Sequence, residues 1–195
     1  MTTTNLKNRI STILVAFTAM FGLMLTLSSC STLSPEQQAA KAAKKELEAR
    51  QEAAEHARVV EALKNMDFVL EADRLTFRGG ETANVSSSIN FISSVDGTTT
   101  VQLGSYRGMG ANGVGGITVE GKASDVQFNT RKNGVSELSM HVNGIGISAI
   151  VEITLFGSTD QATATVTPNL NGNKITLSGN IRPASESSVF KGRTL

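Results

Sequence analysis

The chain has 195 residues, enough for one ordinary domain with additions, and carries 18 basic against 17 acidic side chains. That balance argues against a nucleic-acid surface, which needs a clear basic excess. With no Trp and 5% aromatic residues, there is also little material for stacking bases or sugars.

The first segment, residues 1–29, reads as a leader. Lys7 and Arg9 form a positive start, and an apolar run follows from Ile10 to Leu27. Ser11, Thr12, Thr18, Gly22 and Thr26 interrupt it, so it makes a modest signal core rather than a strong membrane span. The run ends in Leu27-Ser28-Ser29-Cys30, which resembles a bacterial lipobox. The pattern has a chemical reason. A peptidase must fit small side chains beside the cut, and a free thiol must accept a diacylglyceryl group. An ordinary secretory signal or an uncleaved anchor is the competing reading, but Cys30 is the only cysteine in the chain. A domain exported without further cysteines has no internal disulfide and rests on its core alone. Without Lys7 and Arg9 the balance becomes 16 basic against 17 acidic residues.

Residues 30–33 form a lipid-anchored tether, and residues 34–65 a helical spacer. Ser34-Pro35-Glu36-Gln37 is a helix start: Ser as N-cap, Pro in the first helical position, Gln placed to close a capping box. Alanines and charges follow, with Glu46–Arg50 and Glu52–His56 four apart in the favourable order. Leu47 is the only large apolar residue before Val59, a poor heptad signal, so a coiled coil is the weaker alternative. The last turns, with Val59, Val60 and Leu63, are expected to dock onto the next domain.

Residues 66–183 change character to Gly, Ser, Thr, Asn and Val with period-two alternation. Leu138, Met140 and Val142 share one face. So do Ile145 to Leu155 at every second position, then Ala162, Ala164 and Val166, then Ile175, Leu177 and Ile181. Asp96-Gly97, Asn133-Gly134 and Asn143-Gly144 read as hairpin turns, with Asn171-Gly172 a looser fourth. This predicts an all-β antiparallel meander of about nine strands. They are placed near 67–78, 85–94, 98–106, 115–121, 124–132, 135–142, 145–156, 161–167 and 173–182. The apolar phase of the first strand switches between Phe68, Leu70, Ala72 and Leu75, Phe77, which predicts a bulge near Asp73-Arg74. One apolar face and exposed edges require the sheet to curl into a barrel-like or sandwich-like domain. Residues 184–195 read as a flexible tail.

Certain pieces occur in a recognisable order. They are Phe68 to Arg74, a Ser/Asn strand into an Asp-Gly turn, Val101 to Gly108, a Gly-rich loop, Gly115 to Gly121, and Ile175 to Ile181. In this the chain resembles the domain of unknown function 4251 family, exported proteins of Bacteroidota. The resemblance covers most of the mature domain. The family often carries Leu-Pro-Tyr before its Gly-rich loop, whereas here Leu103 is followed by Gly104 and Ser105. The resemblance implies a β-barrel-like fold and an envelope location, and no activity.

Chemistry is sparse. Gly108 to Gly113 matches G-x-G-x-x-G, but Ile117 to Glu120 after it read as a strand, where a dinucleotide site needs a helix. As the longest irregular stretch, this loop is the first place to expect a ligand or partner. Tyr106 and Arg107, with Gly108 and Asn112, are the candidate contacts, a pair able to stack on or grip an anion or sugar. His56 and His141 lie apart, no spaced metal-ligand cluster is present, and no cofactor or metal is expected. The preferred reading is a non-enzymatic binding or scaffold module. It attaches to the membrane through lipidated Cys30 and takes an envelope protein or small molecule as partner. The other class is a hydrolase or isomerase using two of Glu71, Asp73, Glu120 and Asp125, which would have to converge in a cleft. Ser31, rather than Asp, after the lipidated Cys points to the outer membrane facing the periplasm. The cell surface is the alternative.

Overall fold

The computed structural model describes residues 34–104, 116–145, 148–169, 173–189 and 191. The chain divides into two compact units, Met1–Glu46 and Leu47–Leu195. Helix α1 (Pro35–Lys64) begins on a reciprocal capping box. The Gln37 amide donates to Ser34 Oγ at 3.3 Å, and the Ser34 amide donates to Gln37 Oε1 at 3.2 Å. It ends in a Schellman motif. Met66 adopts φ 58°, its amide bonds Leu63 O, and the Asp67 amide bonds Ala62 O at 2.9 Å. No helix among the described residues is long and apolar enough to cross a membrane.

Among the described residues nine antiparallel strands follow: β1 (Phe68–Phe77), β2 (Thr82–Asn84), β3 (Phe91–Val95), β4 (Thr98–Leu103), β5 (Ile117–Thr130), β6 (Ser136–Gly144), β7 (Ser148–Leu155), β8 (Gln161–Pro168) and β9 (Ile175–Pro183). From β3 onward each strand pairs its sequence neighbour, and β9 returns to pair β1 along its whole length. Eight strands thus close a barrel. The short β2 adds to the far half of β1, at Arg74 to Thr76, where β3 no longer reaches.

The interior follows from the alternation. Phe68, Leu70, Ile92, Leu138, Met140, Ile153, Leu155, Leu177 and Ile181 are fully buried, and the last turns of α1 add Val59, Ala62 and Leu63 to the same cluster. The few polar residues on this face pair off. Thr99 Oγ1 reaches Ser94 Oγ at 3.4 Å, and Thr130 Oγ1 reaches Ser136 Oγ at 2.9 Å. The expected bulge is present: the β1–β9 register shifts between Ala72 and Arg74, leaving Asp73 as the extra residue. Gly179 stands opposite. A Cβ there would lie 2.0 Å from Glu71 O, so only glycine lets β9 approach β1 this closely.

Three expectations change. The two strands placed at 115–121 and 124–132 are one strand, β5, broken only by a bulge at Asp125-Val126, where Asp125 takes φ 51°. The strand placed at 85–94 is β3 from Phe91 onward, preceded by an irregular stretch, and β2 fills the gap before it. Asn143-Gly144 is not a turn: both residues are still paired within β6. The Asp96-Gly97 turn is as expected, a two-residue connection with φ 51° and 76°. Asn133-Gly134 closes the β5–β6 hairpin with Gly134 at φ 84°. Asn171-Gly172 lies outside the described residues.

Candidate functional site

The interior is largely apolar, but the outside of the barrel is not uniformly polar. On β1, β3 and β4 the outward residues Val69, Phe91, Thr100 and Gln102 are buried. Their cover comes partly from the chain beyond β9. A 3-10 turn (Ala184–Glu186) is fixed by the Ala184 amide on Asp67 O at 3.2 Å. Residues 187–189 and 191 lie over the outer face. Ser187 Oγ donates to Glu71 Oε1 at 2.6 Å, and the Lys191 ammonium pairs with Glu120. Arg182 Nε stands 3.4 Å from the other Glu71 oxygen. Val189 lines the same open groove as Val69, Phe91 and Thr100, and about 390 Å³ of that groove stays unfilled. The sequence reads this tail as loose; Ala184 to Val189 and Lys191 are instead placed against the sheet. The signal was an alternation at Ser187, Val189 and Lys191 too short to stand out.

A second feature lies at the root of the Gly-rich loop. Asn90, 2% exposed, accepts from the Gly104 amide at 2.9 Å and donates to Ser86 O at 2.9 Å. Gln102 donates to Ile89 O at 3.1 Å and accepts from Thr118 Oγ1 at 3.2 Å. This buried polar network fixes both strands that carry the loop. Gly104 fits because a Cβ would meet the Ile89 side chain at 2.8 Å, which is a physical reason for the glycine after Leu103. The candidate contacts Tyr106, Arg107, Gly108 and Asn112, and the lipid-attachment residue Cys30, lie outside the described residues.

Of the four carboxylates considered for acid–base work, three are engaged separately. Glu71 is held by Ser187 and Arg182, Glu120 by Lys191 and Asp125 by His141, whose Nδ1 is 3.3 Å away. Asp73 sits exposed in the β1 bulge. Asp125 and His141 face solvent, with side chains 69% and 49% exposed. Sequence reading missed this pair because the β5 bulge that brings Asp125 beside His141 is invisible in the pattern. Among the described residues no group of three or more His, Cys, Asp or Glu could hold a metal. His56 serves structure: its Nδ1 meets Thr159 O at 2.7 Å, which ties α1 to the β7–β8 turn. The open cleft around that contact, about 470 Å³, mixes Glu52, Glu55 and Asp160 with Arg58 and Arg182, and Arg58 is paired with Glu186.

The family profile of the domain of unknown function (DUF4251) matches residues 50–181, from the helix turns that dock on the barrel to the closing strand. The chain belongs to the DUF4251 family. A crystal structure of a DUF4251 family protein from Bacteroides eggerthii DSM 20697, at 1.95 Å resolution, is 41% identical. The similarity covers 71% of this chain and 94% of that one, with a TM-score of 0.62. No curated protein matches the chain. The matched segment ends at Ile181, before the tail that clasps the outer face. Membership of DUF4251 brings no enzymatic role with it, since a shared fold hosts unrelated functions and function must be argued from a site.

Proposed function

We propose that this chain is a lipid-anchored envelope protein, held at Cys30 and facing the periplasm from the outer membrane, whose barrel is a non-enzymatic binding or scaffold module. The observation that carries the second half is the filled interior. Phe68, Leu70, Met140, Ile153 and Leu177 occupy the space where a lipocalin-like protein would hold a ligand. Contacts are then left to the outer surface and the loops. The separate engagement of Glu71, Glu120 and Asp125 supports a module without acid–base chemistry.

The anchor rests on Leu27-Ser28-Ser29-Cys30 and on the leader before it. One acyl chain gives only marginal attachment, so stable anchoring needs the multiply acylated N-terminus of a mature lipoprotein. Ser31, in place of an inner-membrane retention Asp, supports the outer membrane. The test is fractionation of the native host carrying Cys30→Ala. The protein is expected to leave the membrane fraction or to accumulate unprocessed. A variant that is fully processed and still partitions wholly with outer membranes would overturn the anchor.

A further inference from the structure

We infer that the outer groove across β1, β3, β4 and β5 is a peptide-binding site. In this structure the chain's own Ser187, Val189 and Lys191 occupy it as a built-in ligand. The partner it fits is an extended peptide bearing a hydroxyl, an aliphatic side chain and a lysine at alternate positions. This deepens the binding half of the proposed function and rests on it, but not on the anchor.

The geometry is that of a transverse strap. Glu71 lies on β1 and Glu120 on β5, three strand spacings apart, and the register sets them two residues apart along the strands, about 16 Å in all at about 4.8 Å per strand and about 3.3 Å per residue. Four residue steps separate Ser187 from Lys191, at most about 13 Å at about 3.3 Å each, and the long Lys191 side chain supplies the rest. Ser187 therefore reaches one carboxylate while Lys191 reaches the other. Val189, midway, meets a floor that contains Val69 and Phe91. Ser187, Val189 and Lys191 face the sheet; Glu71, which Arg182 also holds, stands at one end and Glu120 at the other. Selectivity follows: a cationic end is attracted to Glu120, and an acidic peptide is repelled.

Two observations separate this from an ordinary terminal cap. Residues 187–189 are not in a strand and join no ladder with the barrel, so the hold described is through side chains. Such a hold is exchangeable without breaking the sheet. The groove also keeps open volume beside the tail, room for a peptide with larger side chains than Ser and Val.

The probe is a fluorescein-labelled synthetic peptide with the sequence of residues 184–191, followed by anisotropy against the full chain. The wild-type protein, its groove already filled, should bind it weakly. The triple variant Ser187→Ala, Val189→Asp, Lys191→Glu should release the tail and bind the peptide at least tenfold tighter, with a scrambled peptide binding no better than before. Adding Glu120→Gln to the released variant should remove most of that gain. Circular dichroism checks that each variant keeps the barrel. If the triple variant loses it, Lys191→Ala alone, a change at a half-exposed side chain, carries the comparison. A folded released variant that binds the peptide no better than wild type would overturn the inference, as would equal binding of the scrambled peptide. Either failure leaves the Cys30→Ala fractionation result untouched, so the two claims fall separately.

Discussion

Gly179 and Asp125 are the residues where backbone, not side chain, decides the fold. At Gly179 a methyl would press on Glu71 O and on Ala72 Cα, 2.8 Å away, and neither backbone atom can swing aside. Gly179→Ala is expected to destabilise the barrel by about 1–3 kcal/mol, as overpacking does, read as a lower urea midpoint. Asp125 presents the opposite case. It holds φ 51° with an exposed side chain, a conformation that costs an L-residue roughly 1–2 kcal/mol. Asp125→Gly should therefore be neutral or stabilising, and Asp125→Val destabilising by about 1 kcal/mol or more. If both substitutions destabilise equally, the His141 pair rather than the bulge conformation matters at this position.

At the scale of elements, the C-terminal half of α1 belongs to the barrel. Leu63 is fully buried while Leu47, sixteen residues earlier on the same helix, is 57% exposed. Leu63→Ala should cost about 2–5 kcal/mol, and Leu47→Ala no more than about 0.5 kcal/mol, by urea denaturation. This division was legible in the sequence: Val59, Val60 and Leu63 are the first apolar cluster after a run of alanines and charges. So was β1 with its bulge, because the switch from Phe68, Leu70 and Ala72 to Leu75 and Phe77 changes which parity is apolar. The bulge in β5 was not legible, because its inward residues after Val119 are Gly121, Ala123 and Phe128, too weak an alternation to show that the strand continues. The short β2 was hidden for a similar reason. Thr82-Ala83-Asn84 buries one alanine and has no pattern of its own, and it exists because β1 outruns β3. Nor could any local pattern place Ser187 on Glu71, a contact across 116 residues.

For the whole molecule, the barrel is a body filled by its own side chains. Its interior side chains are sized to each other, so truncating one should leave a void. Leu177→Ala is expected to cost about 2–5 kcal/mol, while Thr165→Ala on the outer face of the neighbouring β8 should change stability by no more than about 0.5 kcal/mol. A cavity-bearing ligand-binder would soften the first value, since side chains beside an existing space lose fewer contacts. The most direct test is native mass spectrometry of residues 31–195, directed to the periplasm of the native host by a cleavable leader. The expected result is the mass of the polypeptide alone, with the interior filled by its own side chains and the outer groove by its own tail. A reproducible, stoichiometric apolar adduct that survives in the released-tail variant and is lost only when the barrel is unfolded would contradict the filled interior.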